Sequence, residues 1–211
     1  MAPGSVIIQT PPGTVTTTQG YGGSVRTTQT IPASGTTAAT VLIQSPLPTL
    51  GCDPSGYLIQ AMTLIRVNIT TGTSVVVKSS VYGNNINSIG YNVADNFIYG
   101  SVATTPFQSL IRIGANGDSN IVASLNSTLE YNCGDVDEKF IYWATLNGRN
   151  WTQLDLVPGS ANFGKLIANG TTTTLPAGYT VYDWAYVPGG GNNLYGIAQN
   201  GAKSQAKLVF N

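Results

Sequence analysis

The chain of 211 residues contains no histidine, and its nine acidic and nine basic residues leave a formal net charge of zero. Without imidazole, serine-histidine-aspartate and cysteine-histidine catalytic pairs are excluded, as are zinc sites built on histidine. The nine cations, from Arg26 to Lys207, stand singly along the chain. Neutralising a phosphate backbone takes a clustered basic face, so nucleic acid is not an expected partner. No apolar run approaches the roughly 20 residues that a membrane-spanning helix needs. The opening Met-Ala-Pro-Gly lacks the basic and apolar regions of a signal peptide, which places any targeting segment elsewhere.

Cysteine is equally sparse. Cys52 and Cys133 lie far apart with no C-x-x-C pair, so a structural zinc or redox motif is not expected. One disulfide between them in an oxidising compartment and a pair of buried thiols both remain open readings. Four N-x-Ser/Thr sequons, at Asn68, Asn126, Asn150 and Asn169, would carry glycans on a secreted protein. Their number is what 18 Asn and 42 Ser plus Thr produce by chance, so the count alone settles nothing.

What is present favours strands. Thr, Ser, Asn, Gly and Val dominate while helix formers are scarce, which predicts an all-β protein. Residues 1 to 48 have their own texture, with Arg26 the one charge, Tyr21 the one aromatic and many threonines. SVIIQTPPG from Ser5 returns as TVLIQSPLP from Thr40, a repeat with an offset of 35 residues. GTVTTTQGY and SVRTTQTIP are β-branched runs bounded by Gly and Pro, which reads as short strands; a disordered Thr/Pro stalk is the alternative. SPLPTLGCDPSG then marks a boundary, giving a Thr-rich segment over 1–48 and a second unit over 49–211.

In the second unit a tyrosine strand recurs: GYLIQAM at 56, NFIYGSV at 96, KFIYWAT at 139 and NLYGIAQ at 193. Each is followed by a further strand (LIRVNITTG, LIRIGANGD, WTQLDLVPG, AKLVFN), and the first three by an outer one. INSIGYNV, TLEYNCGDV and YTVYDWAYV precede the last three tyrosine strands, and the tyrosine strands are expected to be the inner ones. Repeats of this length with four short strands each predict β-propeller blades, about four of them with the last incomplete. The same pattern leaves an unpaired blade edge, for which the N-terminal β-branched segment is a possible strand donor, in self-association or with another surface protein.

The phrases VIIQTPP, TVTTT and TTQTIPASGTT resemble the Thr-rich tandem repeats of fungal cell-surface adhesins of the agglutinin-like type. LIRVNITTGT, INSIGYNVADNFIYG, YNCGDVDE and YDWAYVPGGGNNLYGIA resemble an uncharacterised domain of fungal and some bacterial surface proteins. The resemblance implies an extracellular, wall-associated location and a propeller of more than four blades.

The acidic cluster Asp135, Asp137 and Glu138 has the i, i+2 spacing that can offer oxygen ligands to calcium. The competing reading has Asp135 capping a turn and the other two at a hairpin tip beside Lys139. Asp95 and Asp183 recur just before tyrosine strands, which favours turn building, so no cofactor is expected, with calcium the alternative. Trp143 and Trp184 are candidates for stacking against a glycan, set against packing between blades. The expectation is therefore a non-enzymatic adhesion or structural protein. A carbohydrate-binding propeller is the second reading, and a propeller hydrolase or lyase the third.

Overall fold

The computed structural model describes residues 47–125, 127–128, 130–172, 175–190 and 193–202, together with the backbone of strands 15–19, 25–31, 39–44 and 206–210. Asn126 lies outside the described residues, as does part of the glycine-rich loop before the last tyrosine strand. Among the described residues there is no helix; strands form five antiparallel sheets.

The Thr-rich segment contributes β1 (Val15–Gln19), β2 (Val25–Ile31) and β3 (Ala39–Gln44), paired in the order β1-β2-β3. The β-branched runs thus take the extended form that their side chains favour. The second unit begins with β4 (Ser55–Gln60), β5 (Thr63–Asn68) and β6 (Ser74–Lys78). A four-stranded sheet follows: β7 (Ile86–Asn92), β8 (Phe97–Thr104), β9 (Phe107–Ile113) and β10 (Ser119–Ser124). The next contains β11 (Cys133–Val136), β12 (Ile141–Leu146), β13 (Asn150–Asp155) and β14 (Leu166–Thr171). The last contains β15 (Tyr179–Tyr186), β16 (Leu194–Asn200) and β17 (Ala206–Phe210). Every sheet is a meander in chain order, the topology of propeller blades.

The tyrosine strands β8, β12 and β16 are not the innermost ones, contrary to the expectation from the sequence; β4, in the first blade sheet, is itself an edge strand. Contacts between successive sheets run through β7, β11 and β15, and in their sheets the tyrosine strand is second. The reason is steric. A Cβ on Gly90 of β7 would lie 2.7 Å from the backbone of Asp135, and one on Gly134 of β11 would lie 2.4 Å from the Ser88 carbonyl oxygen. Two backbones approach this closely only where side chains are absent. The bulky tyrosines need the wider space between blades, and there Tyr142 donates to the Ser88 carbonyl at 2.6 Å.

Three apolar clusters fill the three spaces between the four sheets. Leu64 and Val81 meet Ile98, Val102, Ile111 and Ile113; Tyr99 and Leu110 meet Tyr142 and Leu154; Cys133 and Trp143 meet Val181, Trp184 and Leu194. The turns have the predicted chemistry. Asn147 and Gly148 both have positive φ, 58° and 76°, in the short turn that joins β12 to β13, a conformation that Asn and Gly adopt most readily.

Candidate functional site

The inner strands carry one polar position each that repeats in geometry. Asn87, Asp135 and Asp183 each accept, through Oδ1, the N–H of the next residue at 2.8 to 2.9 Å. Asp135 is the most enclosed, and its second oxygen accepts the Tyr186 N–H of β15 at 2.7 Å, fastening the third sheet to the fourth. Burial pushes the Asp135 carboxyl up to about 6; its two N–H partners pull the other way without cancelling that effect, and Asp183 adds like-charge repulsion. Asp183 is itself raised by burial. The recurrent pair of the sequence reading, Asp95 with Asp183, is therefore replaced by Asp135 with Asp183. Asp95 sits in the turn between β7 and β8 and accepts from Tyr99 Oη at 2.5 Å, whereas Asp183 lies within β15. This pairing had a faint signal in the sequence, a polar residue a few positions into each strand that precedes a tyrosine strand.

A cavity of about 450 Å³ opens beside this row, between β4 and β7, lined by Asp135, Asp53, Tyr57 and Tyr91 among others. Asp53 faces Arg66 at 3.9 Å, an exposed pair of little energetic weight.

Asp137 does not turn toward Asp135. One of its oxygens accepts the N–H groups of Lys139 and Ile141, both at 2.9 Å, and the other accepts Trp143 Nε1 at 2.9 Å. Glu138 is exposed at the hairpin tip. Among the described residues no three of His, Cys, Asp and Glu gather as a metal site would require, so Asp135, Asp137 and Glu138 are not brought together. Of the two readings of Cys52 and Cys133, the structure has no bridge between them, and only one of the two thiols is buried. Cys52 is an exposed free thiol, and Cys133 is buried on β11, where its thiol donates to the Val181 carbonyl at 3.4 Å. Its place inside the space between the third and fourth sheets keeps it from the connection that holds Cys52. Burial pushes the Cys133 thiol up to about 12, the behaviour of a packing residue.

The tryptophans pack. Trp184 is 7% exposed within the third cluster, so it offers no face to a sugar, which corrects the stacking expectation for it. Trp143 lies against Trp151 with ring centroids 5.2 Å apart and is tied to Asp137 by its indole N–H. Asn150 and Asn169 are exposed on neighbouring strands, and Asn68 caps a turn by accepting from the N–H groups of Thr70 and Thr71.

Solved structures of propeller-type proteins are similar to this chain at low identity. Selenomethionine-substituted virginiamycin B lyase from Staphylococcus aureus is 11% identical, with 96% of this chain and 71% of that chain covered and a TM-score of 0.43. TolB from Acinetobacter baumannii is 12% identical over 89% of this chain and 49% of that one, with a TM-score of 0.39. A luciferin-regenerating enzyme is 10% identical over 88% and 83%, with a TM-score of 0.42. No curated protein matches the chain. A family model described as a repeat of unknown function, DUF6923, matches residues 56–208, the stretch that builds the four blade sheets, and the chain belongs to that family.

Proposed function

We propose that the chain is a non-enzymatic module of a fungal cell surface, acting in adhesion or as an extracellular structural unit, with residues 1–48 as its Thr-rich stalk. The observation that carries this reading is where apolar surface remains. Leu58 is 49% exposed and Val76 61% on the outward side of the first blade sheet, and Tyr182 and Ile197 are 53% and 58% exposed on the last. Contiguous exposed apolar side chains mark contact with macromolecules. The polar groups support the same reading, since the oxygens of Asp135 and Asp137 are taken up by N–H donors of the fold itself.

The test is display of the full chain on otherwise non-adherent cells, scored by cell aggregation. Aggregation is expected, with loss on Leu58→Asp or Ile197→Asp while the displayed amount is unchanged. Cells that stay dispersed would overturn the reading.

A further inference from the structure

In the second, third and fourth blade sheets an inner strand, β7, β11 or β15, pairs with the tyrosine strand that follows it. The first sheet differs, because β4 is its edge. Gln60 and Thr63 close the two-residue turn between β4 and β5. The ladder bonds therefore fall on Gln60, Leu58 and Gly56, and the N–H and C=O groups of Tyr57 and Ile59 point to the open side. Among the described residues no backbone group meets them there. Two cavities run in line along this edge. One, of about 450 Å³, lies between Ser55 and Tyr57 on β4 and Ile89 and Tyr91 on β7. The other, of about 440 Å³, lies between Ile59 and Gln60 and the facing Asn85 and Asn87.

The groove has the form of a site for one strand. β7 is tied to the β4–β5 turn by the Ile86 N–H on the Ala61 carbonyl at 2.9 Å. The fourth sheet is tied to the third in the same way, Val181 N–H to Asn147 carbonyl at 3.1 Å, and there the inner strand β11 is in place on β12. The tie and the inner strand are thus compatible.

We propose that this groove takes strand β3 of a second copy of the chain, added antiparallel to β4. The inference rests on the surface-module reading and deepens it by naming the partner. Edge strands are normally guarded by charge, proline or a bulge. β4 (SGYLIQ) and β3 (ATVLIQ) have none of these, and β3 is an edge of its own sheet. β3 also stands in the chain where an inner strand stands in the other repeats, directly before a tyrosine strand. The chain's own β3 pairs with β2, in a sheet separate from that of β4. Leu50 N–H bonds the Asn96 carbonyl at 2.9 Å, and further upstream the Pro48 carbonyl accepts from Ala115 at 2.8 Å, so the incoming chain lies over the second blade sheet as far as the β9–β10 turn. Donor and acceptor are different surfaces, so one contact uses the donor of one copy and the acceptor of the next, and further copies can add.

Light scattering of the full chain tests this. The wild-type mass is expected to rise with concentration beyond two chains. Ile59→Pro blocks the acceptor edge and Val41→Pro with Leu42→Pro blocks the donor; each variant should run as one chain, and their equimolar mixture should run as two. A wild type that stays at one chain, or variants that associate as the wild type does, would overturn the proposal. Hydrogen exchange on the wild type guards against a variant that fails to fold. The Tyr57 and Ile59 amides should slow by about tenfold or more between dilute and concentrated samples, and unchanged exchange in an associating sample also overturns it. These readouts are independent of cell aggregation: dispersed cells with concentration-dependent mass would fail the surface reading alone, and aggregating cells with a one-chain mass would fail this one alone.

Discussion

Strands β8 and β16 are two copies of one repeat, yet their burial differs. From Phe97 to Val102 every residue of β8 is buried, whichever face it points to. In β16, Leu194, Gly196 and Ala198 are buried while Ile197, on the other face, is exposed. β4 shows the mirror case, with Tyr57 and Ile59 packed against the next sheet and Leu58 exposed. A strand presents alternate residues to its two faces, so its pattern reports how many neighbours its sheet has. The blade's own sequence supplies apolar residues on both faces; position in the series decides which of them leave water.

The largest break in this comparison comes from the interior. Tyr142 is fully buried between the second and third blade sheets. Tyr142→Ala should cost about 3–5 kcal/mol, as for other large-to-small aromatic changes in a core, read as a lower urea midpoint. A cost under about 1 kcal/mol, the range of ordinary surface changes, would show that the sheets are not packed as described.

An intermediate effect is expected at the inner strands. The Asp135 carboxyl is raised by burial from the ordinary carboxylate value of 3.8 to about 6, so the folded state holds a proton that the unfolded chain releases. Stability from this group is therefore greatest below about pH 4 and declines as pH rises through about 6. Asp95 and Asp183 are displaced in the same direction. Asp135→Asn should flatten the decline between those values in thermal unfolding at stepped pH. An unchanged slope would mean that the carboxyl is not enclosed between β11 and β15.

The smallest effect sharpens the contrast from the other side. Ile197→Ala, in the same strand as buried Leu194, should change stability of the isolated chain by no more than about 0.5 kcal/mol. A loss comparable to Tyr142→Ala would mean that another sheet or chain covers the outward face.

Much of the fold was legible because it depends on local pattern. The tyrosine strands, the Asn147-Gly148 turn and the meander order follow from side-chain alternation and turn chemistry, which are written in consecutive residues. The rank of each strand within its blade was not. FIYG and FIYW are the more conspicuous strands and on pattern alone read as innermost, whereas Gly90 and Gly134 mark the close approach by lacking a side chain, a quiet signal in a glycine-rich chain. The candidate site was half legible. Asp135 stood out in its acidic cluster, but its neighbour in charge is Asp183, 48 positions on, rather than Asp137 beside it. Cys52 and Cys133 could be paired on paper because sequence carries no distance between them.

The sequence by itself determined an all-β chain of repeated strands without the imidazole chemistry that histidine brings, since composition and period-two alternation act within each strand. Tertiary structure alone decided which faces are covered, which carboxyl is enclosed and which edge stays open. Those properties belong to pairs of sheets, and a strand's burial and a carboxyl's proton affinity depend on what another part of the chain places against them.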